Sequence, residues 1–346
     1  MVIGVLNGQE LPPSTLGAWA EMQLSEPTLA SPFFRPEFTT LVASARGDVH
    51  VALLEGGAFF PFQRARMGIG RPVGSRLSDY HGLIAPPETE IDVETLLKRC
   101  RLATWEFDGV PSTQRAFTPF RRMVRSSPVI DLTSGYASYE ASRREAGSDV
   151  LADAARQAER LARSVGPVRF EPHVADPRVL ERLLAWKSAQ YDRTGAADIF
   201  RFGWVRDVVR RAHATVEPAF AGLLSVLYAG DAPVAMHLGL RSASVWHYWL
   251  PAYDRSYARY SPGIVLLTMM ARAASDLGLT TIDLGKGDAL YKRRVASGNV
   301  DLAAGVLRRP SPAAVAERIE RVSLSVLRRT PARALAQRTT TRWKLR

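Results

Sequence analysis

Residues 222–250 read GLLSVLYAGDAPVAMHLGLRSASVWHYWL. Three runs of aliphatic, aromatic and β-branched residues, 222–229, 232–240 and 245–250, are separated by GD and RSAS, links of hairpin length. That spacing predicts a three-stranded meander. Residues 251–263, PAYDRSYARYSPG, read as a loop, and residues 264–279, IVLLTMMARAASDLGL, as a helix with Pro262 near its first turn and Gly278 at its C-cap. A strand, TTIDL, follows at 280–284. Three strands, a helix and a strand is an order in which the helix N-terminus faces a ligand laid against the preceding strand.

Working outward, residues 147–166 and 177–195 carry apolar residues at helical spacing, the first stopped by Gly166. Residues 119–135, with Pro119, Pro128 and Gly135, read as an irregular crossing between two halves. In the first half, VHVALLEGGAFFPFQRAR at 49–66 is strand, Gly-Gly turn, strand, much like 223–240 in the second. The faint repeat suggests two copies of one α/β unit. The expected divisions are an N-terminal unit at 1–127, a C-terminal unit at 128–309, and a basic amphipathic helix and tail at 310–346.

The 346 residues, 46% hydrophobic and 23% charged, have a soluble globular balance. The opening MVIGVLNGQELPPS has no basic leader with an apolar core, and no apolar run approaches the roughly 18 residues a spanning helix needs, so a cytoplasmic chain is expected. Cys100 is the sole cysteine, which excludes an intrachain disulfide and a thiolate metal cluster. The net charge of +12 raises nucleic acid as a partner, but residues 308–346 hold ten Arg and one Lys against Glu317 and Glu320, nine of the twelve charges. A body so near neutrality lacks the basic stripe of a nucleic-acid-binding face, and none is expected.

The segment IDLGKGDALYKRR, 282–294, follows the last strand of this run with a lysine between glycines. A phosphate loop needs Ser or Thr after that lysine, and Gly287 stands there. GIGRPVG at 68–74 has glycines at the wrong spacing for a dinucleotide loop and no helix pattern behind it. The six histidines never occur at i, i+4, so no metal site is expected, and no GxSxG elbow is present. What remains is the turn ARYSPG, 258–263, opening a helix. Arg259 supplies a phosphate-seeking fork, Ser261 a hydroxyl and Gly263 an approachable amide; an ordinary cap by Ser261 with Pro262 at the first helical position reads equally well.

WKSAQYDRTG, YDRSYARYSPG and IDLGKGDALYKRR, in that order, resemble the CelD/BcsL type of acetyltransferase domain within the GNAT superfamily, over roughly 138–298 and more loosely over the first half. The resemblance implies an α/β (α+β) duplicated GNAT-like fold, with two mixed sheets flanked by helices, and kinship with Fem-type transferases, which carry two such units. It implies acetyl-CoA or another acyl-CoA as cosubstrate, held by Arg259, Tyr260, Ser261, Gly263 and Ile264, although Pro262 and Ile264 depart from the small residues usual in that loop. Tyr291 stands where the superfamily often keeps a tyrosine that protonates the leaving thiolate, with Lys292 beside it and Asp288 three residues ahead as a candidate base. His237, in the meander, is a second candidate base. Lys286, Lys292, Arg293 and Arg294 are candidate holders of anionic groups. Lys187 and Tyr191, four apart on one helix, with Arg193, are candidates for the acceptor side, as are Asp79 and Tyr80 of LSDYHGL.

The expected activity is acyl transfer from coenzyme A to the nitrogen or oxygen of a sugar or lipid-linked precursor of an envelope polysaccharide. Two alternatives stand beside it: a Fem-like aminoacyl transferase and an inactive GNAT-fold scaffold of a synthase. In the tail, Val315, Ile319, Val322 and Val326 line one face of a helix, with Arg318, Arg321 and Arg328 largely off it and Trp343 beyond. Such a helix packs on the body or lies on an anionic membrane, which would bring the chain to the inner membrane face.

Overall fold

The structure, a computed structural model, describes residues 1–309; the amphipathic helix and tail expected at 310–346 lie outside the described residues. Contacts divide the chain into two units, one made of Met1–Arg125, Gln190–Val208 and residues 301–309, the other of Ser126–Ala189 and Val209–Val300. Among the described residues no helix is long and apolar enough to cross a membrane.

The first unit holds β1 (Val2–Asn7), α1 (Pro13–Ser25), α2 (Pro36–Ala45), β2 (Val49–Leu54), β3 (Phe59–Arg64), β4 (Ile69–Arg71), α3 (Val93–Arg99) and β5 (Thr104–Pro111), and the last strand among the described residues, β13 (Gly298–Arg308), adds to it beside β5. Its strands run β1-β2-β3-β4-β5-β13, antiparallel except for β4 and β5. The turn between β2 and β3 is the Gly-Gly pair read from the sequence. Gly56 and Gly57 sit at φ 77° and 75°, a conformation that costs a side chain about 1 kcal/mol or more. The core is aromatic: Trp105 stacks on Phe107 at 5.5 Å and meets Phe60 edge-on at 4.9 Å.

The chain enters the second unit along β6 (Arg121–Asp131). There follow α4 (Gly135–Glu145), α5 (Val150–Ser164), β7 (Val168–Glu171), α6 (Pro177–Thr194), α7 (Gly203–Ala214), β8 (Val216–Glu217), β9 (Phe220–Ala229), β10 (Ala232–Arg241), β11 (Val245–Tyr253), α8 (Pro262–Asp276), β12 (Thr281–Asp283) and α9 (Leu290–Val295), the end of α6 and the start of α7 falling to the first unit. The strand order is β6-β12-β11-β10-β9-β7, with β8 on β9. The meander forms where the turn signals placed it, and α8 returns the chain so that β12 runs parallel to β11. Such a return needs a crossover of a dozen or more residues, which the helix supplies. The hydrophobic face of α8, including Val265, Leu266, Met270 and Ala274, packs in one cluster with Trp246, Tyr248 and Ile282. Mixed sheets flanked by helices are thus the architecture of both units, as expected.

One segment departs from the sequence reading. The crossing expected at 119–135 is largely the eleven-residue strand β6, paired antiparallel with β12 through Val129, Ile130 and Asp131. Pro128 only removes a donor from the ladder; its carbonyl accepts the Leu284 N–H at 2.9 Å.

Candidate functional site

The pairing of β10 with β11 slips once. Leu238 faces Leu250 and Leu240 faces His247, so Gly239 alone opposes Tyr248 and Trp249. This is a β-bulge, a device that re-aims side chains and recurs beside active sites. The slip takes the Trp249 N–H out of the ladder, and Nε2 of His237 accepts it at 3.1 Å. Gly239 is required by the arrangement: a Cβ there would overlap His237 Cε1 and lie 2.6 Å from Trp246 Nε1 and 2.7 Å from the His247 carbonyl. His237 is fully buried and stacks on Tyr248, ring centroids 4.4 Å apart. Burial, with His247 nearby, holds its pKa well below the ordinary histidine value. The candidate base of the sequence is therefore a neutral core acceptor that supports the bulge, with no exposed face to meet a substrate.

Beyond the bulge the parallel pair opens. Its ladder runs Val245 to Thr281, Trp246 to Ile282 and His247 to Asp283, and there β12 ends, while β11 continues to Tyr253 without a partner strand on that side among the described residues. The last rung is pinned from beneath. Asp283 Oδ1 accepts the Ser127 hydroxyl at 2.7 Å and the Gly285 N–H at 2.8 Å, and His247 Nδ1 lies 3.5 Å from it. After β11 comes the turn 258–263 and the N-terminus of α8. Ser261 stands at φ 48° as the N-cap and its side chain makes no capping bond, so the ordinary cap read from the sequence does not form. Pro262 has no N–H, and the amides of Ile264 and Val265 are taken by the Ser261 carbonyl at 2.9 and 3.2 Å. The Gly263 amide is what the turn has left to offer, with the Ser261 hydroxyl, and a Cβ on Gly263 would meet nothing nearer than Tyr253 at 3.7 Å. Arg259 is exposed, lies over the Tyr260 ring at 4.7 Å and donates to its hydroxyl at 2.7 Å. Tyr260 itself is buried in the core and anchors Arg259 through its hydroxyl, while Ile264 packs against that core.

The segment after β12 supplies a phenol. Tyr291, in α9, packs half-buried against the cluster that contains Tyr248, and burial raises its pKa. Burial, followed by the neighbouring Tyr291, raises that of Tyr248 as well. Both phenols keep their protons at neutral pH. Asp288 is exposed on the turn ahead of α9. Lys292 is placed otherwise than the sequence reading supposed: 9% exposed, its Nζ donates to the carbonyls of Gly285 and Lys286, both at 2.9 Å, which fixes the turn that carries Lys286 and Asp288. Arg294 pairs with Asp153 of α5 at 3.2 Å in a surface ion pair, and both Arg293 and Arg294 are exposed.

The residues assigned to the acceptor are spread over both units. Lys187 is buried in the second unit, and burial holds its pKa down to about 8. Tyr191 belongs to the first, half-buried against Phe200 at 6.0 Å, with its pKa raised by burial; Arg193 is exposed. Tyr80 lies in the first unit's core, edge-on to Phe34 at 6.2 Å, and its carbonyl accepts the Ser78 hydroxyl, so LSDYHGL is a fixed loop there with Asp79 half-buried. No group of three or more metal-ligating side chains is present among the described residues. The bulge at Gly239, with Tyr248 and Trp249, was not found by sequence reasoning. An isolated glycine inside the strand APVAMHLGL was the available signal.

Solved structures share the fold over most of the chain. The C-terminal domain (DUF2156) of a protein named as a lysylphosphatidylglycerol synthetase from Agrobacterium fabrum is 13% identical with a TM-score of 0.56, over 89% of this chain and 96% of that one. A conserved protein of unknown function from Bacteroides thetaiotaomicron VPI-5482 is 12% identical at 0.54, over 88% and 100%. FemX is 10% identical at 0.52, over 84% and 94%. Among curated proteins none matches the chain. Residues 151–293, from the first turn of α5 through Arg293 of α9, match the family model of the acetyltransferase (GNAT) domain.

Proposed function

We propose that this protein transfers an acyl group from a coenzyme A thioester to an amine or hydroxyl of a sugar, free or lipid-linked, that serves as an envelope polysaccharide precursor. The observation that carries the acyl-transfer reading is the opening between β11 and β12, with a bulge on one side, a protonated tyrosine beside it and a helix N-terminus following the longer strand. Strand edge 248–253 presents backbone groups that an extended, amide-bearing chain can pair with. The Gly263 amide, the Ser261 hydroxyl and Arg259 fit a phosphate at the α8 N-terminus, though with fewer amides than the superfamily loop supplies. When bound, the thioester supplies an activated carbonyl and a thiolate leaving group. Tyr291, protonated because burial disfavours the phenolate, gives its proton at that sulfur, and the exposed carboxylate of Asp288 takes one from the acceptor. The sugar acceptor rests on the CelD/BcsL resemblance of the three motifs.

A second reading, an aminoacyl transferase of the Fem type, is favoured by one observation: the first turn of α8 has lost the Pro262 and Ile264 amides, one to the proline ring and one to the Ser261 carbonyl. Calorimetry of the full chain with acetyl-CoA, followed by thiol release with glucosamine-type acceptors, separates the two. Micromolar binding and acceptor-dependent thiol release are expected; no binding at millimolar acetyl-CoA overturns the first reading. In the same assay Arg259→Ala is expected to raise the donor KM several-fold at unchanged kcat, because an anchor remote from the reacting carbon gives uniform binding.

A further inference from the structure

The first unit contains a cavity of about 350 Å³, within the range of small-molecule sites, bounded by residues 2–5 of the edge strand β1 and by His50, Arg64, Arg99 and Arg101. Three arginines line it, and among the described residues no Asp or Glu does. Their positions are built by four elements. Arg64 of β3 is held by donating from Nη1 to the Cys100 carbonyl at 3.1 Å and from Nη2 to His50 Nε2 at 2.7 Å. His50 of β2 can accept there because its Nδ1 faces the Asp48 carbonyl at 3.0 Å, which places the ring proton on Nδ1, and because its ring is braced on Phe62 at 5.5 Å. Neither of these partners of Arg64 is an acid, so its positive charge is oriented by them without being neutralised.

Arg99 and Arg101 come from the end of α3, where cations also meet the negative end of the helix dipole. Arg101 does more than that requires. Its N–H bonds Lys98 O at 3.1 Å and the next N–H, of Leu102, bonds Leu97 O at 2.8 Å, the Schellman pattern that puts the intervening residue in the left-handed region, where glycine is favoured. Arg101 occupies that position at φ 55°. A residue with a side chain stands where glycine is favoured, and it lines the cavity.

We infer that this cavity is a binding site for a compact, multiply charged anion, the phosphate or diphosphate of a soluble small molecule, held by the guanidinium forks of Arg64, Arg99 and Arg101. Planar forks match phosphate oxygens two at a time, which a basic surface of lysines would not. The site belongs to the first unit and does not depend on the acyl-transfer reading.

Calorimetry of the full chain with inorganic pyrophosphate and with 4-nitrophenyl phosphate tests it. Binding of both is expected, weakened about tenfold or more in an Arg99→Gln, Arg101→Gln double variant. An Arg178→Gln, Arg182→Gln double variant, which removes equal charge from exposed positions of α6 that do not line the cavity, is expected to bind within about twofold of the parent. Arg101→Gly is expected to weaken binding while raising Tm, since glycine relieves the left-handed position. That outcome distinguishes loss of the site from loss of the fold. The inference is overturned if the full chain binds neither anion at millimolar concentration, if the two double variants lose affinity equally, or if only vesicles bearing phosphatidic acid bind and the free anions do not.

Discussion

The hairpin β2–β3 of the first unit and the pair β10–β11 of the other unit each join two apolar strands through a short link, and each contains glycine. Their ladders differ. Between β2 and β3 the register runs from Val49 opposite Gln63 to Leu53 opposite Phe59 without a slip. Between β10 and β11 it slips at Gly239, and the slip is filled by a histidine that accepts the displaced Trp249 amide. The glycines differ in kind as well. Gly56 and Gly57 are needed for their left-handed backbone and have open space around them, whereas Gly239 is needed for space, because His237, Trp246 and the His247 carbonyl crowd its missing side chain. A regular pair builds a wall; an interrupted one, maintained by a buried polar group, shapes a place where a strand edge can be left open.

The comparison breaks most visibly at Gly239. Gly239→Ala is expected to destabilise the fold by about 3 kcal/mol or more, since the atoms it would strike are backbone and packed rings, and urea unfolding measures it. A loss below about 1 kcal/mol would mean that the bulge can relax around a methyl group. Next in size is the chemistry beside the bulge. Tyr291→Phe is expected to lower kcat about 100-fold with Tm unchanged, the range for a positioned acid; equal losses of folding and rate would assign Tyr291 to packing.

The histidine that fills the slip carries a pH signature. Its pKa in the folded chain lies well below the ordinary 6.5, so the unfolded chain takes up a proton first, and stability falls as pH drops below about 6.5. His50 and His173, also lowered, chiefly by burial, add to the slope. Removing one such group, as in His237→Gln, is expected to flatten the slope by up to about 1.4 kcal/mol per pH unit between pH 6 and 5, read from urea midpoints. An unchanged slope would show that folded His237 is protonated as readily as the unfolded residue. The smallest effect belongs to the regular hairpin: Gly57→Ala is expected to cost about 1 kcal/mol, from backbone strain alone, with the pH slope untouched.

By itself the sequence determined the local order. The meander of 220–253, α8 from Pro262 with Gly278 left-handed just past its end, α5 before Gly166 and the hairpin at Gly56–Gly57 were all legible, because turn residues and side-chain periodicity act over a few neighbouring positions. Tyr291 was legible as a residue but not as a half-buried phenol. Other features were decided only by the tertiary structure. Pro128 reads as punctuation until β12 lies alongside it and takes its carbonyl into use. Lys292 reads as a free cation until the turn ahead of it folds back and offers two carbonyls. His237 faces a bulge whose existence depends on one residue of register, a quantity set between strands rather than along one. The cavity of the first unit gathers residues from positions 2 to 101, and no spacing in the chain announces it. Propensity is a property of neighbours in sequence, whereas burial, pairing register and the company of charges are properties of neighbours in space, and the site chemistry of this protein rests on the second kind.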